Sequence, residues 1–265
     1  MTDSLTAITS LYAGQFQIGI LVLVRISAML VPMPVLGSQS LPFQVRVGLA
    51  LALTMIVFPT IPQSAVQLPR GTPEFFVMVG REVVAGLLIG WTFGLVFQVV
   101  EIAGALIDSQ AGYAMVELFD PITGQTSHLF GQFLVAVASV SFMVSGAMAR
   151  MVTTIADSFV ALPLDSTTLR SERIVPILQH IIEIAFITGV QLAGPVLMAL
   201  LMVTVVMAVV SRIMPAMNAW MLAMPIQIAV ACAVTAAGLP WMMHVFGSWE
   251  TQVFHTVDTL LSAMG

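Results

Sequence analysis

The chain has 265 residues, of which 59% are apolar and only 8% charged; its net charge is −5 and its mean hydropathy +1.04. Soluble domains carry about 25% charged residues, so a water-facing surface of this size could not be covered with so few. The composition predicts an integral membrane protein and excludes a nucleic-acid binder, a disulfide scaffold and a disordered chain.

All eight basic residues are arginine, so no polybasic patch is present for anionic lipid or nucleic acid. The first ten residues lack a basic n-region and do not read as a cleavable signal, so the first apolar segment is expected in the mature protein. The single cysteine, Cys232, lies in an apolar run; it forbids an internal disulfide and is expected as a small core residue.

Six apolar stretches follow in chain order: Phe16–Leu36, Val47–Ile61, Phe75–Ile107, His128–Ala149, Ile177–Val210 and Leu222–Phe246. Each is apolar on nearly all faces, as suits helices in lipid or in a protein-filled assembly. Val47–Ile61 is short for a span of about 20 residues. Phe75–Ile107, at 33 residues, would run about 50 Å as one helix against a bilayer core of about 30 Å. It must tilt strongly, break, or leave the membrane. Ile177–Val210 poses the same problem, with a candidate break at Gly194-Pro195.

The intervening segments 37–46 and 59–74 are short and punctuated by Pro42, Pro59, Pro62, Pro69 and Pro73. Segment 108–127 mixes acids, glycines and apolar residues. Segment 150–176 is the most polar and reads as a loop. Basic residues are too few to orient the chain, which would follow if some helices never cross lipid. No internal repeat or inverted-repeat signature is present.

At 100° per residue, Gly86, Gly90, Gly94, Glu101, Gly104 and Asp108 fall within an arc of about 80° on one helix face. The glycines admit close approach of another helix, and acids on that stripe should face protein or water. Arg25 lies midway along the first stretch, too far from either end to snorkel. It should pair with an acid; Glu101, Asp108 and Glu183 are candidates, whereas Arg81-Glu82 reads as interfacial. His180 and Glu183 are i, i+3 neighbours that can bond each other or, with Glu101, relay a proton. Arg212 is expected in the last turn of a helix, Pro215 turns the chain, and Asn218 can cap the next helix.

Enzyme chemistry has little support. The sequence holds no HExxH, GxSxG, Walker A or CxxC motif, and the four histidines lack metal-ligand spacing. No metal or cofactor is expected. Two other function classes remain in play: a small-solute secondary transporter with a midplane site at Arg25, Glu101 and Glu183, and an intramembrane enzyme.

Two stretches resemble a known family. One contains Gly104, Asp108, Gly112, Ala114, Asp120-Pro121 and Gly124; the other contains Gly194-Pro195, Arg212, Pro215, Asn218 and Pro225. Together they resemble the FliR/SctT family of type III export-gate membrane proteins, and segment order matches across essentially the whole chain. The chain departs from the family pattern at Ala216, where Gln is usual, and at Gln227, where a basic residue is common.

The resemblance implies an all-α integral membrane protein of about six long, kinked helices, with a FliP-like part at 1–175 and a FliQ-like hairpin at 176–265. It implies a hetero-oligomer with FliP- and FliQ-like subunits and an FlhB-like partner in the bacterial inner membrane, at the flagellar basal body. That assembly is a closed, gated conduit for unfolded export substrates. It also implies a loop that plugs the pore, here Asp108, Gly112, Tyr113, Met115, Leu118, Phe119, Asp120, Pro121 and Gly124. Glycines give such a loop freedom, and Met115, Leu118 and Phe119 can form an apolar constriction.

Overall fold

The computed structural model describes residues 2–34, 42–61, 71–112, 128–164, 171–214 and 219–264. The described residues form seven helices and no strand: α1 Thr2–Leu30, α2 Phe43–Val57, α3 Thr72–Gln110, α4 Leu129–Val144, α5 Ala147–Ala161, α6 Ser171–Ile213 and α7 Ala219–Met264. A 3-10 turn, Phe58–Thr60, follows α2. The chain divides into two compact units. The first holds Met1–Leu95, Gly146–His180 and Val253–Gly265; the second holds Val96–Ser145 and Ile181–Gln252. Helices α3, α6 and α7 contribute segments to both.

Where these helices stop follows from local chemistry. α1 ends at Leu30 rather than Leu36, because Pro32 and Pro34 cannot continue a hydrogen-bonded helix. α2 opens directly after Pro42, and α3 opens with Pro73 in its first turn, where a missing N–H leaves no bond unmade. The stretch His128–Ala149 is not one helix. It breaks at Ser145-Gly146, where Gly146 takes φ +78°, a conformation only glycine adopts readily.

Two expectations fail for a shared reason. Residues 150–161 are helical, not loop, and α7 runs on past Phe246 to Met264. Both segments are amphipathic: α5 buries Met151, Thr154, Ile155, Ser158 and Phe159, and the end of α7 buries Trp249, Val253, Val257, Leu260 and Met264. Their polar faces lower the average hydropathy, so a search for uniformly apolar runs passes over them. The expected break at Gly194-Pro195 is also absent, since α6 runs unbroken through both residues. At about 1.5 Å per residue, α3, α6 and α7 reach roughly 58, 65 and 69 Å.

Among the described residues four helices are long and apolar enough to cross a membrane, with α4 and α5 a fifth candidate if taken as one broken span. They differ in what covers them. In α3, 61% of the most apolar stretch is buried within the chain, against 22% in α6 and 11% in α7. α3 is therefore the helix on which the others are built. α6 and α7 leave large apolar faces, such as Met198, Leu201, Met202 and Val205, that lipid or other protein must cover.

In the first unit, α1 packs along α3 with Leu21, Val22, Ile26 and Met29 fully buried. Phe93 meets Phe254 edge-on at 5.3 Å, and the guanidinium of Arg150 sits 4.2 Å from the Phe254 ring centre. In the second unit, Phe97 contacts Phe142 at 5.5 Å and Phe246 at 6.0 Å, both edge-on.

Candidate functional site

The glycine stripe meets α1 of the same chain. A Cβ on Gly86 would lie 2.6 Å from the Arg25 carbonyl oxygen and 2.8 Å from Ala28 Cβ. A Cβ on Gly90 would overlap the Met29 carbonyl, and one on Gly94 would lie 2.8 Å from the Pro32 carbonyl oxygen. These neighbours are backbone atoms and a Cβ fixed directly to the backbone, so they cannot rotate away. The absent side chains set the distance between α1 and α3.

That close approach carries Arg25 against α3. Arg25 is fully buried, and its Nε donates to a carboxylate oxygen of Glu82 in a buried ion pair. Nη1 donates to the carbonyl oxygens of Ser158 at 3.1 Å and Leu162 at 2.8 Å. Those carbonyls close the C-terminus of α5, where a cation also suits the helix dipole. The guanidinium lies 4.4 Å from the ring centre of Phe159. The sequence expectation for Arg25 needs correction. Its acid is Glu82, which is buried and not interfacial, while Asp108 is engaged elsewhere and Glu101 and Glu183 are exposed. A signal existed, since Glu82 lies one turn before Gly86 on the same stripe.

Further along α3 the stripe meets α4. A Cβ on Gly104 would overlap the Cα of Gly131. Asp108, one turn on, is buried and accepts hydrogen bonds from the backbone N–H groups of Phe130 at 3.0 Å and Gly131 at 3.1 Å. These are the second and third residues of α4, whose own N-cap, His128, makes no side-chain cap. Asp108 supplies that cap from another helix, satisfying two free donors with a charge of the right sign. His128 Nδ1 lies 3.9 Å from Asp108 Oδ2. The end of α3 and the start of α4 are thus fastened together at the two ends of segment 112–127.

Gly112, at φ +84°, ends α3 and faces Met224 and Gln227 of α7. Gln227 donates from Nε2 to Thr204 Oγ1 of α6 at 3.3 Å, so the departure from a basic residue leaves a neutral link between these two helices. Arg212 sits exposed in the last turn of α6, as its position predicts. Cys232 is exposed, not in the core, beside Phe133 and Ala236 in an apolar groove of α4 and α7. Tyr113, Ala114, Met115, Leu118, Phe119, Asp120, Pro121 and Gly124 lie outside the described residues, as do Pro215, Ala216 and Asn218.

Arg25 and Asp108 are therefore committed to closing helix ends, and Glu82 to pairing with Arg25. Sequence comparison decides the class. Residues 16–252 match the model of bacterial export proteins, family 1. The chain belongs to this family. Its curated relatives include the flagellar biosynthetic protein FliR of Bacillus subtilis (strain 168), 26% identical over 93% of this chain and 95% of that one. The FliR of Aquifex aeolicus is 30% identical over 82% of this chain and 83% of its own. The Yop proteins translocation protein T of Yersinia pestis is 31% identical over 80% of this chain and 81% of its own. The chain is thus a multi-pass membrane component of a type III protein export apparatus. Nothing in the comparisons or the geometry favours the transporter reading, whose proposed midplane arginine is committed to Glu82 and α5.

Proposed function

We propose that the chain is a non-enzymatic subunit of the export gate in the bacterial inner membrane. In this reading it joins FliP- and FliQ-like subunits, with an FlhB-like partner, around a closed conduit for unfolded polypeptides. Residues 1–175 act as the FliP-like part and 176–265 as the FliQ-like hairpin. The exposed apolar faces of α6 and α7 support such an assembly, because isolated in water they could not persist.

The observation that carries the gating role is the Asp108 clasp. Segment 112–127 leaves α3 and re-enters at α4, and Asp108 holds those two ends together. A plug must yield to a polypeptide and then return to one place. A loop of small and apolar residues on a fastened base meets both demands. Gly112 at the start of the segment, in a left-handed conformation, sets the direction in which the chain leaves α3.

The test is deletion of Tyr113–Phe119. The subunit should still assemble, and the membrane should become permeable to small ions, read as conductance or ion-sensitive growth. An assembled, impermeable complex would assign the segment to the surface.

A further inference from the structure

In the second unit, α3 and α4 enclose an open groove of about 460 Å³. Its lining is unusual for a chain with 8% charged residues. Gln98, Glu101 and Ala105 stand at i, i+3 and i+7 on α3, and His128, Gly131 and Gln132 border it from α4. Gln98, Glu101, His128 and Gln132 are all exposed. Among the described residues Glu101 has no hydrogen-bond or ion-pair partner. The groove runs along α3, which is a candidate span, where an unpartnered acid facing hydrocarbon is costly. Lipid is therefore a poor occupant.

The groove's chemistry points to a cation. Glu101 offers two carboxylate oxygens and each glutamine a carbonyl oxygen, whereas Ala105 and Gly131 leave the floor low enough for a long side chain to enter. Among the described residues no group of three or more His, Cys, Asp or Glu could hold a metal ion. An arginine or lysine side chain, which brings several donors and one positive charge, fits this acceptor set. The chain has 13 acids and 8 bases, so a base supplied from outside also improves its charge balance.

We infer that the Gln98–Glu101–Gln132 groove is a docking site for a basic side chain on a helix of a neighbouring membrane subunit. This rests on the hetero-oligomeric reading above. Glu101 fixes the partner's register by charge, and the two glutamines orient the inserted cation. The competing occupant, an exported polypeptide moving along a hydrated wall, is an outcome of the test.

The experiment uses the complete set of export-gate membrane subunits, co-expressed and extracted in detergent. A photo-cross-linking residue placed at Val135, which borders the groove, leaves Gln98, Glu101 and Gln132 intact. It should form an adduct with another membrane subunit; adducts only with an exported substrate, only with lipid, or none at all would overturn the proposal. In parallel, Glu101→Lys should lower recovery of the complex at least about tenfold, and Glu101→Gln by less. Selection for restored export in the Glu101→Lys strain should return an acidic replacement of a basic residue in a second subunit. Recovery of the Glu101→Lys complex at the wild-type level would also sink it. The wild-type complex is the separate check on assembly: if this chain fails to co-purify with other subunits at all, the hetero-oligomeric reading falls, and the proposal with it. A wild-type complex that survives Glu101→Lys removes the groove alone.

Discussion

The Nη1 group of Arg25, five residues before the end of α1, donates to the carbonyl oxygen of Leu162 at the end of α5, 2.8 Å away. One side chain thereby ties three helices, because its Nε is held by Glu82 on α3. The arrangement needs the glycines beside it. With side chains at Gly86 and Gly90, α1 could not come close enough for the guanidinium to reach both partners.

Removing one member of that pair strands the other in a buried site. Arg25→Leu should destabilise the subunit by about 3–5 kcal/mol, and Glu82→Leu by a comparable amount. The double variant should be far less damaged than the sum of the two, because no lone buried charge is left. Thermal unfolding of the detergent-solubilised complex measures the cycle. Coupling to Glu101 or Asp108 in place of Glu82 would contradict the pairing.

Glycines divide sharply by what surrounds them. Gly90→Ala places a methyl onto the Met29 carbonyl, so α1 and α3 must separate and complex yield should fall. Gly80 and Gly194 have open space where a Cβ would go. Gly80→Ala and Gly194→Ala should be neutral or stabilising, by up to about 1 kcal/mol, since alanine is the better helix former. Equal effects at Gly90 and Gly80 would show that the stripe has no packing role.

Gly146 is a third kind. Space is open around it, yet its φ of +78° is one that L side chains avoid. Gly146→Val should lower stability by about 1–2 kcal/mol through backbone strain alone, and Gly146→Asn by less. Measuring both by the same unfolding assay separates strain from packing.

The Asp108 clasp predicts a phenotype distinct from misassembly. Asp108→Ala removes the cap of α4 and should cost about 0.5–2 kcal/mol, leaving assembly intact. With the base of the segment unfastened, resting ion leakage should rise, though less than when Tyr113–Phe119 is deleted. Asp108→Asn, which still offers one acceptor oxygen, should fall between Asp108→Ala and wild type. Conductance of reconstituted complexes orders the three. A tight resting seal in Asp108→Ala would detach the clasp from gating.

Much of this protein is determined by its sequence alone. Eight per cent charged residues in a 265-residue chain leave no soluble alternative, and the spacing of Gly86, Gly90 and Gly94 announces a close helix contact before any coordinates exist. Asp108, one turn past Gly104, already lies on that face. These are local or periodic facts, and a helix converts period directly into direction. What the spacing leaves open is the identity of the partner. Arg25 had three plausible acids by composition and took a fourth, 57 residues along the chain. Only the approach of α1 to the glycine face decides that, because ion pairing depends on distance and burial, to which sequence separation is no guide. The same holds for α5 and the end of α7. Their polar faces hid them among loops, and only packing within the first unit's core turned Met151, Ile155, Val253 and Val257 inward. The cap of α4 is the sharpest case. Its own N-cap residue, His128, makes no side-chain cap, and the carboxylate that closes it belongs to another helix. Tertiary structure supplied it, since exposed backbone donors at a buried helix end must find an acceptor wherever the fold can place one.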